Sequence, residues 1–230
     1  MKSAASTKVF FVNKNVLKGF ALAVLLLLSV YVPSFVLVSV LRPPLVAAVP
    51  LVIFTSLVLA LLIIAALRRR WGGWRSWGFD SCSRRYLVWA AVLGIPIGLV
   101  LTFLSSLFPA TGPLSGLKAA LWLQVVYFIV AAPIQEEIIF RGLIQTTLTR
   151  HLQGTFSLAG MRFSIPAVSA ALLFGLIHLG VNPLAAIGAF VLGLLAGELR
   201  QRSGSLLPAI LVHAIFNASA MVWMFGWFSA

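Results

Sequence analysis

The sequence predicts an all-α, polytopic membrane bundle of about seven spanning helices, and three observations carry that prediction. Hydrophobic residues make up 61% of the 230 residues and charged residues only 9%, whereas a water-facing globule has roughly a quarter of its residues charged. Mean hydropathy is +1.09. Several apolar runs exceed the ~18 residues that read as a bilayer-spanning helix. Such a chain cannot coat a soluble surface, and its first expected partner is the lipid bilayer.

The elements follow in order. Lys2, Lys8, Lys14 and Lys18 precede an uncharged run over 19–41. That run is too long for a signal peptide and is closed by no small-x-small cleavage site, so it reads as a retained signal anchor. A second span covers 45–67 and ends on Arg68, Arg69 and Arg70. Residues 71–85, with three Trp and further Arg, read as a loop at headgroup level whose aromatics anchor its neighbours. The third span is 86–108, followed by a Pro/Gly-containing loop over 109–116. The fourth begins near 117, stays uncharged from 119 to 135, then meets Glu136 and Glu137 while still apolar at Ile138, Ile139 and Phe140. The polar stretch 150–164 reads as a loop, and spans five to seven cover 165–181, 183–199 and 205–228. In the sixth, Ala185, Ala189, Gly193 and Gly197 form a small-residue stripe suited to close helix packing. The domain division expected is 1–116, spans one to three with the Arg/Trp loop, and 117–230, the membrane domain of spans four to seven.

The charge balance orients the bundle. Lys and Arg number 17 against 4 Asp and Glu, a net charge of +13. In a soluble domain that excess suggests nucleic acid, but no basic stripe alternates with stacking aromatics, so nucleic acid is not an expected partner. Basic residues instead gather in cytoplasmic loops. With seven spans and the amino terminus inside, only Arg42 and Lys118 fall outside; the other fifteen of the 17 lie inside. The carboxyl terminus is then outside. Compact size and short loops point to a bacterial plasma membrane. Cys82, the single cysteine, excludes an intrachain disulfide and any Cys-based metal cluster.

Four acids are few enough to consider singly. Asp80 lies in the Trp/Arg segment, and Glu198 can pair with Arg202 at i,i+4 near a helix end. Glu136 and Glu137 lie within apolar sequence, where an ionisable residue costs roughly 2.5–3.5 kcal/mol and is a functional candidate by default. Arg141 stacks one turn after Glu137 and can pair with it. Glu136 is turned about 100° away, given ~3.6 residues per turn, and is left free for chemistry. Two further polar pairs occur at helical spacing in apolar runs: Phe174 with His178, and His213 with Asn217. At ~1.5 Å per residue, Glu136, His178 and His213 can share one layer of the membrane. That set supports hydrolysis. A carboxylate and an imidazole can hold and deprotonate a water, and a second imidazole with a carboxamide can stabilise an oxyanion. No HExxH is present, and Asp80 is the only Asp, which removes two other classes of intramembrane protease.

EEIIFR (136–141), FGLIH (174–178) and HAIFN (213–217) together resemble the EExxxR, FxxxH and HxxxN motifs of the type II CAAX prenyl endopeptidases and their bacterial CAAX-protease and bacteriocin-processing relatives. The resemblance covers about 117–229. It implies a glutamate-type intramembrane endopeptidase acting on a membrane-associated peptide or protein. Glu136 and His178 would activate the water, His213 and Asn217 would form the oxyanion site, and Glu137, Arg141 and Phe174 would support them, with no cofactor. Glu136, His178 and His213 are also residue types that ligate zinc, so a zinc-dependent protease is one alternative. A non-catalytic immunity or partner-binding protein on the same scaffold is another. A proton-coupled transporter is less well matched, because no related halves are visible.

Overall fold

The computed structural model describes residues 14–107, 120–158 and 161–227. The expected loop over 109–116, Lys2, Lys8 and Lys118, and the outermost ends of the third, fourth and seventh spans lie outside the described residues. The remainder is mostly helical. The helices are α1 (Lys14–Leu41), α2 (Leu45–Leu67), the single turn α3 (Gly73–Ser76) and α4 (Arg84–Ser106). They continue with α5 (Leu121–Thr149), α6 (Ile165–Ile177), α7 (Pro183–Ser203) and α8 (Leu207–Trp227).

Local chemistry sets the boundaries. Pro43 and Pro44 separate α1 from α2, because a residue before proline is pushed out of the helical region; Arg42 takes φ 47° there. Ser164 caps α6 by accepting from the Ala167 N–H at 3.4 Å, and Asn182 caps α7 by accepting from the Ala185 N–H at 2.7 Å. A proline follows each cap, at the position where its missing N–H costs nothing. At the far end of α7, Gly204 adopts φ 75° and its N–H closes on the Arg200 carbonyl at 3.0 Å.

Five helices, α1, α2, α4, α5 and α7, are long and apolar enough to cross a membrane. Their outward faces carry Leu25, Leu28, Phe35, Phe54, Leu62 and Trp89 exposed, a surface that fits lipid rather than water. The chain is a multi-pass membrane protein. The fifth expected span is shorter than the sequence suggests: α6 has 13 residues, about 20 Å at ~1.5 Å each, against a hydrocarbon core of ~30 Å.

Two expectations need correction. The stretch 150–164 is not wholly loop, since β1 (Thr155–Leu158) and β2 (Met161–Ser164) pair antiparallel, Thr155 opposite Ser164. Phe156 and Phe163 face each other across it with ring centroids 5.6 Å apart, a cross-strand pair that favours strands. The bundle is therefore not purely α. Nor is the 71–85 segment simply a headgroup-level anchor. Trp77 is fully buried and stacks on Trp71 at 5.2 Å. The backbone of Gly78 accepts from Leu206 N–H at 2.9 Å, and Asp80 O accepts from the Ser205 hydroxyl at 2.5 Å. The segment closes one end of the bundle onto the start of α8.

The buried core draws on both halves of the chain: Val30, Ile64 and Ala90 pack with Phe140, Phe174 and Val212. Small residues bring helices close where the site needs them. A Cβ added to Gly193 would meet Ala171 at 3.2 Å, and one added to Gly197 would meet Ala167 at 3.0 Å, so the α7 stripe packs against α6. A second such pair, Gly94 and Gly98, faces Ile215, Phe216 and Ser219 of α8.

Candidate active site

α5 carries the acidic motif and is not a uniform helix. Val126–Ala131 and Ile138–Gln145 are wound as π-helix, flanking the α-helical turn Ala132–Glu137. Wide turns of this kind recur at functional sites. They bracket both glutamates.

The two glutamates have different surroundings. Glu137 is fully buried and sits between two cationic or cation-forming groups. Its Oε2 lies 3.0 Å from Arg141 Nε, and its Oε1 lies 2.8 Å from His213 Nδ1. The i,i+4 pairing expected from sequence is present. Arg141 is equally sealed; its Nη2 donates to the Gly193 carbonyl at 3.0 Å, and its guanidinium covers the Phe174 ring at 5.0 Å. Thus the α7 stripe contributes an acceptor as well as packing space. Glu136 keeps 19% of its side chain exposed and has no contact with Arg141 among the described ion pairs. It is not isolated: its Oε2 lies 3.7 Å from His213 Nε2.

His213 therefore bridges the two carboxylates. A carboxylate accepts, so Nδ1 carries the proton towards Glu137, and Nε2 faces Glu136. Among the described ion pairs Glu137 meets His213 and Arg141, and reaches Glu136 only through His213 between them. Asn217, one turn further along α8, donates one amide hydrogen to the Phe128 carbonyl at 2.7 Å. That ties α8 to the first π-helical stretch and leaves the second hydrogen of the amide.

His178 follows the last residue of α6 and is half-buried. Its Nδ1 lies 2.8 Å from the Phe174 carbonyl. A carbonyl can only accept, so this contact puts the proton on Nδ1 and leaves the Nε2 lone pair available. Phe174 is the common neighbour of both imidazoles, with ring centroids 4.6 Å from His178 and 5.8 Å from His213. Phe140 meets it edge-on at 4.8 Å. The three motifs thus converge around one aromatic ring.

Sequence reading missed the layer behind them. Gln135 donates from Nε2 to Tyr31 Oη at 3.1 Å and to Ser56 Oγ at 3.0 Å. These bonds clamp α1 and α2 against the residue preceding Glu136. The signal was present as a Gln, a Tyr and a Ser inside apolar spans, where an unpaired polar group is expensive. Away from the site, Glu198 pairs with Arg202 at 3.2 Å as expected and also accepts from the Ser164 N–H at 2.6 Å.

Comparison with known families points the same way. Residues 118–219 match the Rce1-like type II CAAX prenyl endopeptidase family. That segment contains all three motifs, and the matching family is the one they resemble. No curated protein and no solved structure matches the chain. The match supports an endopeptidase at the level of the family. The Rce1-like segment ends within α8, and the helices before it are joined to it through the Gln135 clamp and the Gly94–Gly98 contact.

The donor set for a zinc-dependent version is not assembled. Among the described residues no three His, Cys, Asp or Glu side chains are grouped to hold a metal ion. Glu136, His178 and His213 do not form a ligand cage here.

Proposed function

We propose that the protein is an intramembrane endopeptidase that hydrolyses a peptide bond of a membrane-associated peptide or protein without a metal. The observation that carries this reading is the division between the two glutamates. Glu137 is sealed and neutralised by Arg141 and His213, while Glu136 stays partly open beside His213. A water held between Glu136 and the His178 Nε2 loses a proton to Glu136 as its oxygen attacks the scissile carbonyl carbon. Asn217, through its second amide hydrogen, and His213 Nε2, in its imidazolium form, donate to the oxygen that becomes negative. Collapse of the tetrahedral intermediate breaks the C–N bond, and the proton passes from Glu136 to the leaving amine. Glu137 keeps His213 oriented throughout.

In this reading the bundle crosses a bacterial plasma membrane seven times, amino terminus inside. The test is cleavage by the purified protein in liposomes, using two substrates: a prenylated carboxyl-terminal peptide and a membrane-anchored leader peptide. Mass spectrometry should find a new terminus on at least one, unaffected by strong chelators. Binding of both without cleavage would favour a partner-binding protein on this scaffold, and stoichiometric zinc whose removal abolishes cleavage would overturn the metal-free mechanism.

A further inference from the structure

A second polar site lies beside the first and shares Arg141 with it, through guanidinium hydrogens that face away from Glu137. A cavity of about 290 Å³ is lined by Arg141, Gln145, Thr146, Thr149, Arg150 and Arg200, with Ser76 and Gln201 at its edge. Its floor is buried at Arg141, Gln145 and Thr146, and its rim is exposed at Thr149, Arg150 and Gln201. Of the four acids of the chain, Asp80, Glu136 and Glu198 pair with Arg75, His213 and Arg202, away from the cavity, and Glu137 pairs with Arg141 behind its floor. None lines the cavity. Arg150 and Arg200 consequently have no acidic partner among the described residues; they donate to the backbone carbonyls of Trp71 and Ser76 instead. At the floor, Arg141 Nη1 has no hydrogen-bond partner among the described residues although the residue is completely buried. A buried guanidinium hydrogen without an acceptor is expensive, and the charges of Arg150 and Arg200 around one cavity are left uncompensated.

We propose that this cavity binds a phosphate-bearing anion, held by Arg200 and Arg150 with Arg141 beneath. Guanidinium groups suit phosphate because their fixed fork of donors matches its oxygens. Gln145 Oε1, a buried acceptor also without a partner among the described residues, suits the hydroxyl of a singly protonated phosphate. Two sources offer this chemistry: the headgroup of an anionic lipid, for which basic pockets between membrane helices are suited, or free phosphate. The site stands independently of the peptidase reading.

The experiment uses the full-length protein. Delipidated protein in neutral detergent is titrated with inorganic phosphate against sodium chloride of matched ionic strength, following the unfolding midpoint. In parallel, protein taken from phosphatidylcholine nanodiscs containing phosphatidylglycerol is weighed by native mass spectrometry for retained lipid. Arg200→Gln and Gln201→Glu are the variants, the second placing a negative charge on the exposed rim without removing an arginine. A saturable stabilisation by phosphate beyond that of chloride indicates free phosphate as a ligand. Retention of one phosphatidylglycerol without such a shift indicates the headgroup. In either case both variants should weaken binding by about tenfold or more, the effect expected of a charge-assisted hydrogen bond, and Gln201→Glu should unfold no earlier than the parent when unliganded, because its added charge faces unpaired arginines. Neither phosphate stabilisation nor retained phosphatidylglycerol, or binding unchanged in both variants, would overturn the proposal.

Discussion

Glu136 and Glu137 have the same side chain one residue apart, and their neighbours make them different. Glu137 touches Arg141 and His213 and has no exposed surface, so its charge is stable only while both partners remain. Removing one partner of a buried pair costs about 3–5 kcal/mol in soluble proteins. Arg141→Ala should therefore lower the unfolding midpoint of the detergent-purified protein and its folded yield as well as its activity. An unchanged midpoint would show that the pair is not structural. Asn217 illustrates a different economy of one side chain: one amide hydrogen goes to Phe128, and in the proposed mechanism the other donates to the developing oxyanion. Loss of an oxyanion donor acts on the transition state, with removal costing about 10²–10³ in kcat. Asn217→Ala should lower kcat by that order while KM changes far less. A variant that raises KM alone would assign Asn217 to substrate binding.

The helices were legible because an apolar run of spanning length has few other solutions, and the Glu137–Arg141 pair was legible because both partners lie one turn apart on one helix. What sequence did not disclose depends on how elements are rotated against each other. That His213 bridges both glutamates follows from the placement of α8 against α5, and periodicity within either helix carries no information about it. The π-helical turns of α5 were invisible for a related reason: they are defined by backbone bonding, not by side-chain pattern. The α4–α8 seam could have been read, since Gly94 and Gly98 repeat the four-residue spacing seen in the sixth span. A Cβ at Gly98 would come within 2.9 Å of Ser219 Cβ and 3.1 Å of the Phe216 backbone. Gly98→Val should push α8 away, destabilising the bundle by about 1–3 kcal/mol as overpacking does and displacing His213 and Asn217. Thermal unfolding and turnover check this together. Gly180→Ala, with open space around its Cβ position, is the matched control and should change neither.

For the molecule as a whole, the basic residues and the apolar faces define how it sits in lipid. The side chain of Arg75 is 84% exposed, which makes it a good reporter of sidedness. In a Cys82→Ser background, a cysteine placed at Arg75 should react with an impermeant thiol reagent only from the cytoplasmic side; labelling from outside alone would invert the bundle. The central claim is that the protein hydrolyses peptide bonds by assigning structure to one glutamate and chemistry to its neighbour. The most direct measurement compares Glu136→Gln and Glu137→Gln in the same lipid bilayer, recording unfolding midpoint and peptide cleavage for each. Glu136→Gln should keep the parent's midpoint and lose cleavage by at least the ~10²–10⁴-fold that removal of a general base costs. Glu137→Gln should lose stability, because Arg141 and His213 lose the charge between them. A Glu136→Gln protein that cleaves at the parent's rate would contradict the account.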